Sequence, residues 1–198
     1  MRLGICTLRG KGWVVGLALL ALLAVGSNGF AKTVKYKSSG AGTFITASFT
    51  YDGVAPAGID TASVKDNLGG ASTLQCVSEF VPTKTACTAP DSTAGTTFNL
   101  VQSDCAGQYT QGSLQNSGTF DTTVGAAAST QCISSTTSSF RGTTNYNVTG
   151  GEGKLSGASG SVTVTYTGNT LAAPGSPPGT NGFFGADTFT ATGTITQK

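Results

Sequence analysis

Apolar and polar residues alternate one by one along several stretches of this chain, the period of a strand that buries one face. Ile45, Ala47, Phe49 and Tyr51 alternate with Thr46, Ser48 and Thr50. Val162, Val164 and Tyr166 alternate with Ser161, Thr163, Thr165 and Thr167. Phe189, Ala191, Gly193 and Ile195 alternate with Thr188, Thr190, Thr192, Thr194 and Thr196. β-Branched and aromatic residues fit such a pleated, half-buried surface, so the first-named set of each stretch is read as the core face. Weaker strands are expected over 33–38, 96–102, 107–114, 118–124 and 139–148. In the last, Phe140, Gly142, Thr144, Tyr146 and Val148 share a face. No apolar stripe of helical period follows the first 31 residues. The pattern therefore predicts an all-β chain: a single antiparallel β-barrel of about eight strands, with a β-sandwich as the alternative. No composition break divides residues 32–198, which read as one domain. Ala172–Gly182 (AAPGSPPGTNG) is a Pro/Gly loop between the two most regular strands.

The first 31 residues differ. Arg2, Arg9 and Lys11 precede an apolar run, Trp13–Val25, of 13 residues, short of the ~20 that span a bilayer. Gly29-Phe30-Ala31 puts small residues at −3 and −1, so residues 1–31 read as a cleaved signal peptide, with cleavage after Gly26 as the alternative. Removing the leader takes three of the 11 basic residues and none of the 9 acidic ones. The remaining near-neutral chain offers no electrostatic footprint for nucleic acid. It holds no second apolar segment, so no membrane span is expected after cleavage, and the location is periplasmic or extracellular. That environment oxidises thiols, and four cysteines remain: Cys76, Cys87, Cys105 and Cys132. Short loops close most easily, which favours Cys76–Cys87 with Cys105–Cys132; the nested pairs 76–132 and 87–105 are the alternative. Either set is read as stapling irregular loops.

The chain has no His, which removes His-dependent triads and His-ligated metals. No metal or cofactor is expected. The glycine-rich run Gly150-Gly151-Glu152-Gly153-Lys154-Leu155-Ser156-Gly157-Ala158-Ser159-Gly160 fails as a P-loop because Leu155 follows Lys154. It fails as a dinucleotide fingerprint because Ser156 stands at the third glycine and a strand follows. It is read as a tight, bent hairpin with Leu155 and Ala158 inward.

That run, continued as GGEGKLSGASGSVTVTY and followed by FFGADTFTATGTI, resembles the closing part of allene-oxide-cyclase-like and dirigent-like β-barrels, including small exported bacterial members. The resemblance covers about residues 147–196. It implies an eight-stranded antiparallel barrel, often hollow and sometimes oligomeric. Plant members cyclise a fatty-acid epoxide or guide radical coupling. No active-site residue of the family matches position by position, so none is carried over.

The carboxylates mostly adjoin Gly, Pro or Ser, where Asp favours turns, and no spacing marks a catalytic dyad; no catalytic residue is named. Candidate ligand-binding residues are Tyr51, Arg141, Tyr146 and Tyr166. The tyrosines lie on apolar strand faces, and Arg141, the sole Arg past the leader, could grip a carboxylate in two-point fashion. Phe183-Phe184 cannot both face inward from one strand, so one of them is a candidate contact surface. The function expected is an exported, soluble barrel that binds a small apolar ligand or contacts another envelope protein. The alternatives are a cyclase/isomerase-type enzyme working in the barrel cavity, and an adhesin-like structural protein.

Overall fold

The computed structural model describes residues 31–50, 56–111, 116–124, 129–172 and 183–197. They form nine strands: β1 (Lys32–Thr50), β2 (Pro56–Asp66), β3 (Ala71–Thr88), β4 (Ala94–Gln111), β5 (Asn116–Val124), β6 (Thr130–Ser134), β7 (Ser139–Gly151), β8 (Ser159–Ala172) and β9 (Phe183–Gln197). Every pairing is antiparallel, in the order β3-β2-β1-β9-β8-β7-β5-β4-β6, and additional β3–β4 and β7–β6 pairings close the sheet into a ring. β5 and β6 both lie between β4 and β7, at different heights. β5 pairs with Asp104–Gln111 of β4 and the Tyr146–Gly151 end of β7. β6 pairs with Gly95–Asn99 and Phe140–Thr143 of the same two strands. Together they make one stave, so the barrel has eight staves and no open edge among the described residues. This answers the barrel-or-sandwich question in favour of the barrel.

The strongest alternation gives the most regular pairing. β9 runs in unbroken register with β1, from Lys32↔Gln197 to Ile45↔Phe184, and with β8, from Ser159↔Thr196 to Ala172↔Phe183. Threonines fill the outer face of these strands, and Val162, Phe189, Ala191 and Ile195 point inward and are buried. Elsewhere the sequence pattern misleads. Of the expected strands, 33–38 and 45–50 are parts of one long β1, and 96–102 and 107–111 merge into β4; 112–114 lie outside the described residues. β2, β3 and β6 carry too much Ser, Thr and small residue to stand out in the sequence.

The face read for β1 is inverted at its centre. Ile45 is 53% exposed, whereas Phe44 faces the lumen. Tyr36, buried near the start of β1, sets the parity for the whole strand, and a period of two then carries Phe44 inward and Ile45 outward. The side chains of Ala47 and Phe49, together with Tyr51, residues 1–30 and the loop 173–182, lie outside the described residues.

The cysteines pair in neither expected way: the bridges are Cys76–Cys105 and Cys87–Cys132. All four lie in strands, not in irregular loops. Loop-closure entropy grows only with the logarithm of length, so it is a weak guide beside strand register. The long β3–β4 hairpin sets Cys76 directly opposite Cys105 whatever the loop length. The second bridge links β3 to β6 across β4. It passes beside Gly95, where a Cβ would stand 3.2 Å from Cys132 Sγ.

The Gly-rich run behaves as expected. It holds one 3-10 turn, Gly153–Leu155, with Leu155 and Ala158 buried. Gly157 and Gly160 adopt φ of 68° and 149°, a region that side-chain-bearing residues avoid.

Candidate functional site

The lumen divides into two parts. Towards the Gly-rich turn it is filled by Tyr36, Tyr109, Val148, Leu155, Val162 and Ile195. Beyond them lies a cavity of about 530 Å³ that extends to Thr46, Ser138 and Thr170 at the other end of the staves. Cross-strand glycines make this space possible. Phe44 stands opposite Gly185, Phe189 opposite Gly40, Phe140 opposite Gly168 and Tyr166 opposite Gly142. At each of these glycines a Cβ would come within 2.4–2.5 Å of the facing ring. Each ring therefore lies back over bare backbone on the neighbouring strand, the cross-strand arrangement that rescues glycine in sheets, and the lumen centre stays open. Phe140 packs edge-on against Phe44, with ring centroids 5.4 Å apart.

Two carboxyl groups enter this apolar space. Asp60 on β2 and Asp187 on β9 flank β1, opposite Phe44 and Gly42 respectively. A Cβ on Gly42 would stand 2.7 Å from Asp60 Oδ1 and 2.8 Å from Asp187 Oδ1. The two oxygens thus converge over the one position of β1 that leaves them room. Both are buried without a hydrogen-bond partner among the protein's own groups. Burial raises the Asp60 carboxyl to about 7, reinforced by the charge of Asp187 and opposed by a hydrogen bond from the Thr61 backbone. Burial raises Asp187 as well, against hydrogen bonds from the Gly42 and Asp187 backbone. Removing a carboxylate from water disfavours its charge, and a second carboxylate beside it adds to the effect.

Tyr146 and Tyr166 line the same cavity. Burial pushes the Tyr146 phenol up to about 12. Its oxygen lies 3.3 Å from Ser103 Oγ, which lies 2.7 Å from Ser78 Oγ, so a polar chain crosses from β7 to β3. Burial also raises Tyr166, opposed by a hydrogen bond with the Thr144 side chain. Of the expected ligand-binding residues, these two tyrosines therefore meet at one site. Arg141 does not join them. It follows inward-facing Phe140, so alternation turns it outward, and it is exposed. Tyr51 lies outside the described residues. Cys76 and Cys105 also line the cavity, through their bridge. Phe184 is 40% exposed on the outer wall beside Ile45.

Asp60 and Asp187 escaped the sequence reading, which assigned such residues to turns. That reading holds for Asp66, which accepts from the Leu68 and Gly69 backbone N–H groups, and for Asp91, which accepts from the Thr93 backbone. A signal for Asp187 was present: it lies two residues before Phe189, on the same strand parity as the buried Ala191 and Ile195.

Comparison of the chain with family models, curated proteins and solved structures finds no match. The fold and the cavity are thus the basis for any statement about function.

Proposed function

We propose that this protein is an exported binding barrel that holds a small, largely apolar molecule in its interior, with Asp60 and Asp187 as the polar anchor. The observation that carries this reading is the lumen itself. It is an aromatic-walled space of about 530 Å³, within the range of small-molecule sites, with a few convergent polar groups. The eight-stave ring and its hollow centre also support kinship with allene-oxide-cyclase-like and dirigent-like barrels, which stays part of this proposal. Export rests on the leader pattern and is compatible with two disulfides. A direct test is native mass spectrometry of protein purified from its own host, paired with titration of a fluorescent apolar probe. We expect one copurifying small molecule, or one probe, per barrel, and loss of probe binding in Val164→Trp, which fills the space. Probe binding that persists in a folded Val164→Trp variant would place the ligand elsewhere.

A second reading is a proton-transfer enzyme of the cyclase/isomerase type. It is favoured by one observation, the convergence of two carboxyl groups in an apolar cavity, where burial pushes Asp60 up to about 7, a pairing that supplies an acid and a base together at neutral pH. In that case Asp60→Asn abolishes turnover and leaves binding of the apolar body intact.

A further inference from the structure

We propose that the occupant of the barrel is an organic cation, a primary amine whose ammonium group sits between Asp60 and Asp187 while its apolar body lies against the aromatic wall. The proposal rests on the cavity-binding reading above and specifies the ligand's chemistry.

The argument begins with charge. Among the described residues that line the cavity, Asp60 and Asp187 are the only ionic side chains. The described basic residues Lys32, Lys35, Lys37, Lys65, Lys84, Arg141 and Lys154 are all exposed, so none of them neutralises the pair from within the protein. Buried charges are normally paired. Here the Oδ1 atoms of the two carboxyl groups converge over Gly42 without a partner, and the hydrogen bonds that reach the pair come from backbone N–H groups. The Tyr166 phenol lines the same cavity and is engaged by the Thr144 hydroxyl. An ammonium group has three donors and no acceptor, so it can donate to the Asp60 and Asp187 oxygens at once. The walls fit the same ligand, because Phe44, Phe140 and Tyr166 present ring faces and edges, and cations are attracted to aromatic faces. A metal ion fits less well: among the described residues no group of three or more Asp, Glu, Cys or His side chains could hold one. A carboxylate ligand would meet like charge.

The titration of the site gives the proposal a signature. The ionisable groups that share the cavity with Asp60 are Asp187 from β9, Tyr146 from β7, Tyr166 from β8, Tyr36 from β1 and Tyr109 from β4; the rest of the β3 and β4 lining is apolar or serine, with the Cys76–Cys105 bridge. Without a cation the carboxyl pair holds a proton near neutrality, and an ammonium group displaces it. Amine affinity therefore rises with pH until the pair is ionised, by up to about tenfold per pH unit for one displaced proton.

The experiment titrates the intact protein with three probes that share one body: 4-phenylbutylamine, 4-phenylbutan-1-ol and 4-phenylbutyrate. At pH 8 we expect the amine to bind at least about tenfold tighter than the alcohol and the carboxylate more weakly than both, a difference of the size that charge-assisted hydrogen bonds supply. The amine's advantage should shrink between pH 8 and pH 5.5, while alcohol affinity stays nearly flat. Asp60→Asn and Asp187→Asn should each remove most of the advantage and leave alcohol binding intact, which also reports that the variants are folded. The cation proposal is overturned if the alcohol matches the amine at pH 8, or if the advantage survives in a folded Asp→Asn variant. If none of the three probes binds, the cavity-binding reading falls with it.

Discussion

The two halves of the lumen are held together in different ways. The half near the Gly-rich turn is packed: Ile195 is 1% exposed and Tyr109 2%, and burial supplies its cohesion. The other half is hollow, contains two buried carboxyl groups, and has both disulfides in or near its wall. Where contacts across the lumen are few, such as Phe44 against Phe140, covalent links between β3, β4 and β6 help hold the staves in place. A site that must admit a ligand cannot be filled by its own core, so its rigidity comes from the wall.

This contrast can be tested by experiments that act on one half at a time. Reduction of both disulfides should have the largest effect, roughly 3–4 kcal/mol per bridge for loops of this length, lowering the melting temperature by about 10 °C or more. Hydrogen exchange should then rise first in β3, β6 and the Gly95 end of β4, while β8 and β9 near Ile195 keep their protection. Equal loss in both halves would refute the division. Ile195→Ala, in the packed half, should cost about 4 kcal/mol in chemical denaturation, as full burial and a new cavity imply.

Next comes pH. Burial pushes the Asp60 carboxyl up from the ordinary aspartate value of 3.8 to about 7 in the folded protein. The folded state therefore binds more protons than the unfolded state between those values. The stability from the protonated carboxyl is complete below about pH 4 and is lost as pH rises through about 7. The ligand-free barrel should lose on the order of 3 kcal/mol over that window, and Asp60→Asn should flatten the profile. Asp91, lowered by hydrogen bonds from Thr137 and Thr93, acts in the opposite sense below pH 4, so the comparison is best made from pH 4.5 to 8. The smallest effect is expected for Val164→Ala. Its side chain already borders open space, so the change enlarges a cavity without creating one. We expect about 1 kcal/mol, against the much larger cost at Ile195.

The sequence made the packed wall easier to read than the hollow one. Alternation over 161–167 and 188–196 marked β8 and β9 and their inward faces, because Thr outside and Val, Phe or Ile inside differ strongly in polarity. The same pattern placed Tyr146 and Tyr166 on inward faces. It failed at Ile45, where two apolar neighbours competed for one inward position and the parity set from Tyr36 decided. β2 and β3 were hidden because a strand that lines a cavity needs little bulk: Gly58, Asp60, Ser72 and Ser78 all face the lumen. The carboxyl pair was illegible for a related reason. Asp60 and Asp187 are far apart in sequence, and only their separate registers with β1 bring them to Gly42. The disulfides likewise follow register, which no loop-length argument contains.

The shared stave affects how the barrel wall could be cut or rebuilt. Because β5 and β6 each pair with both β4 and β7, the chain passes from one half-stave to the other without either half relying on that link for its neighbours. A nick or an inserted tag between Val124 and Ser129 would interrupt the polypeptide and leave the hoop of hydrogen bonds closed. Two fragments meeting there would still be fastened at the hollow end by Cys87–Cys132, which spans the junction, so they should stay together as one particle until reductant is added.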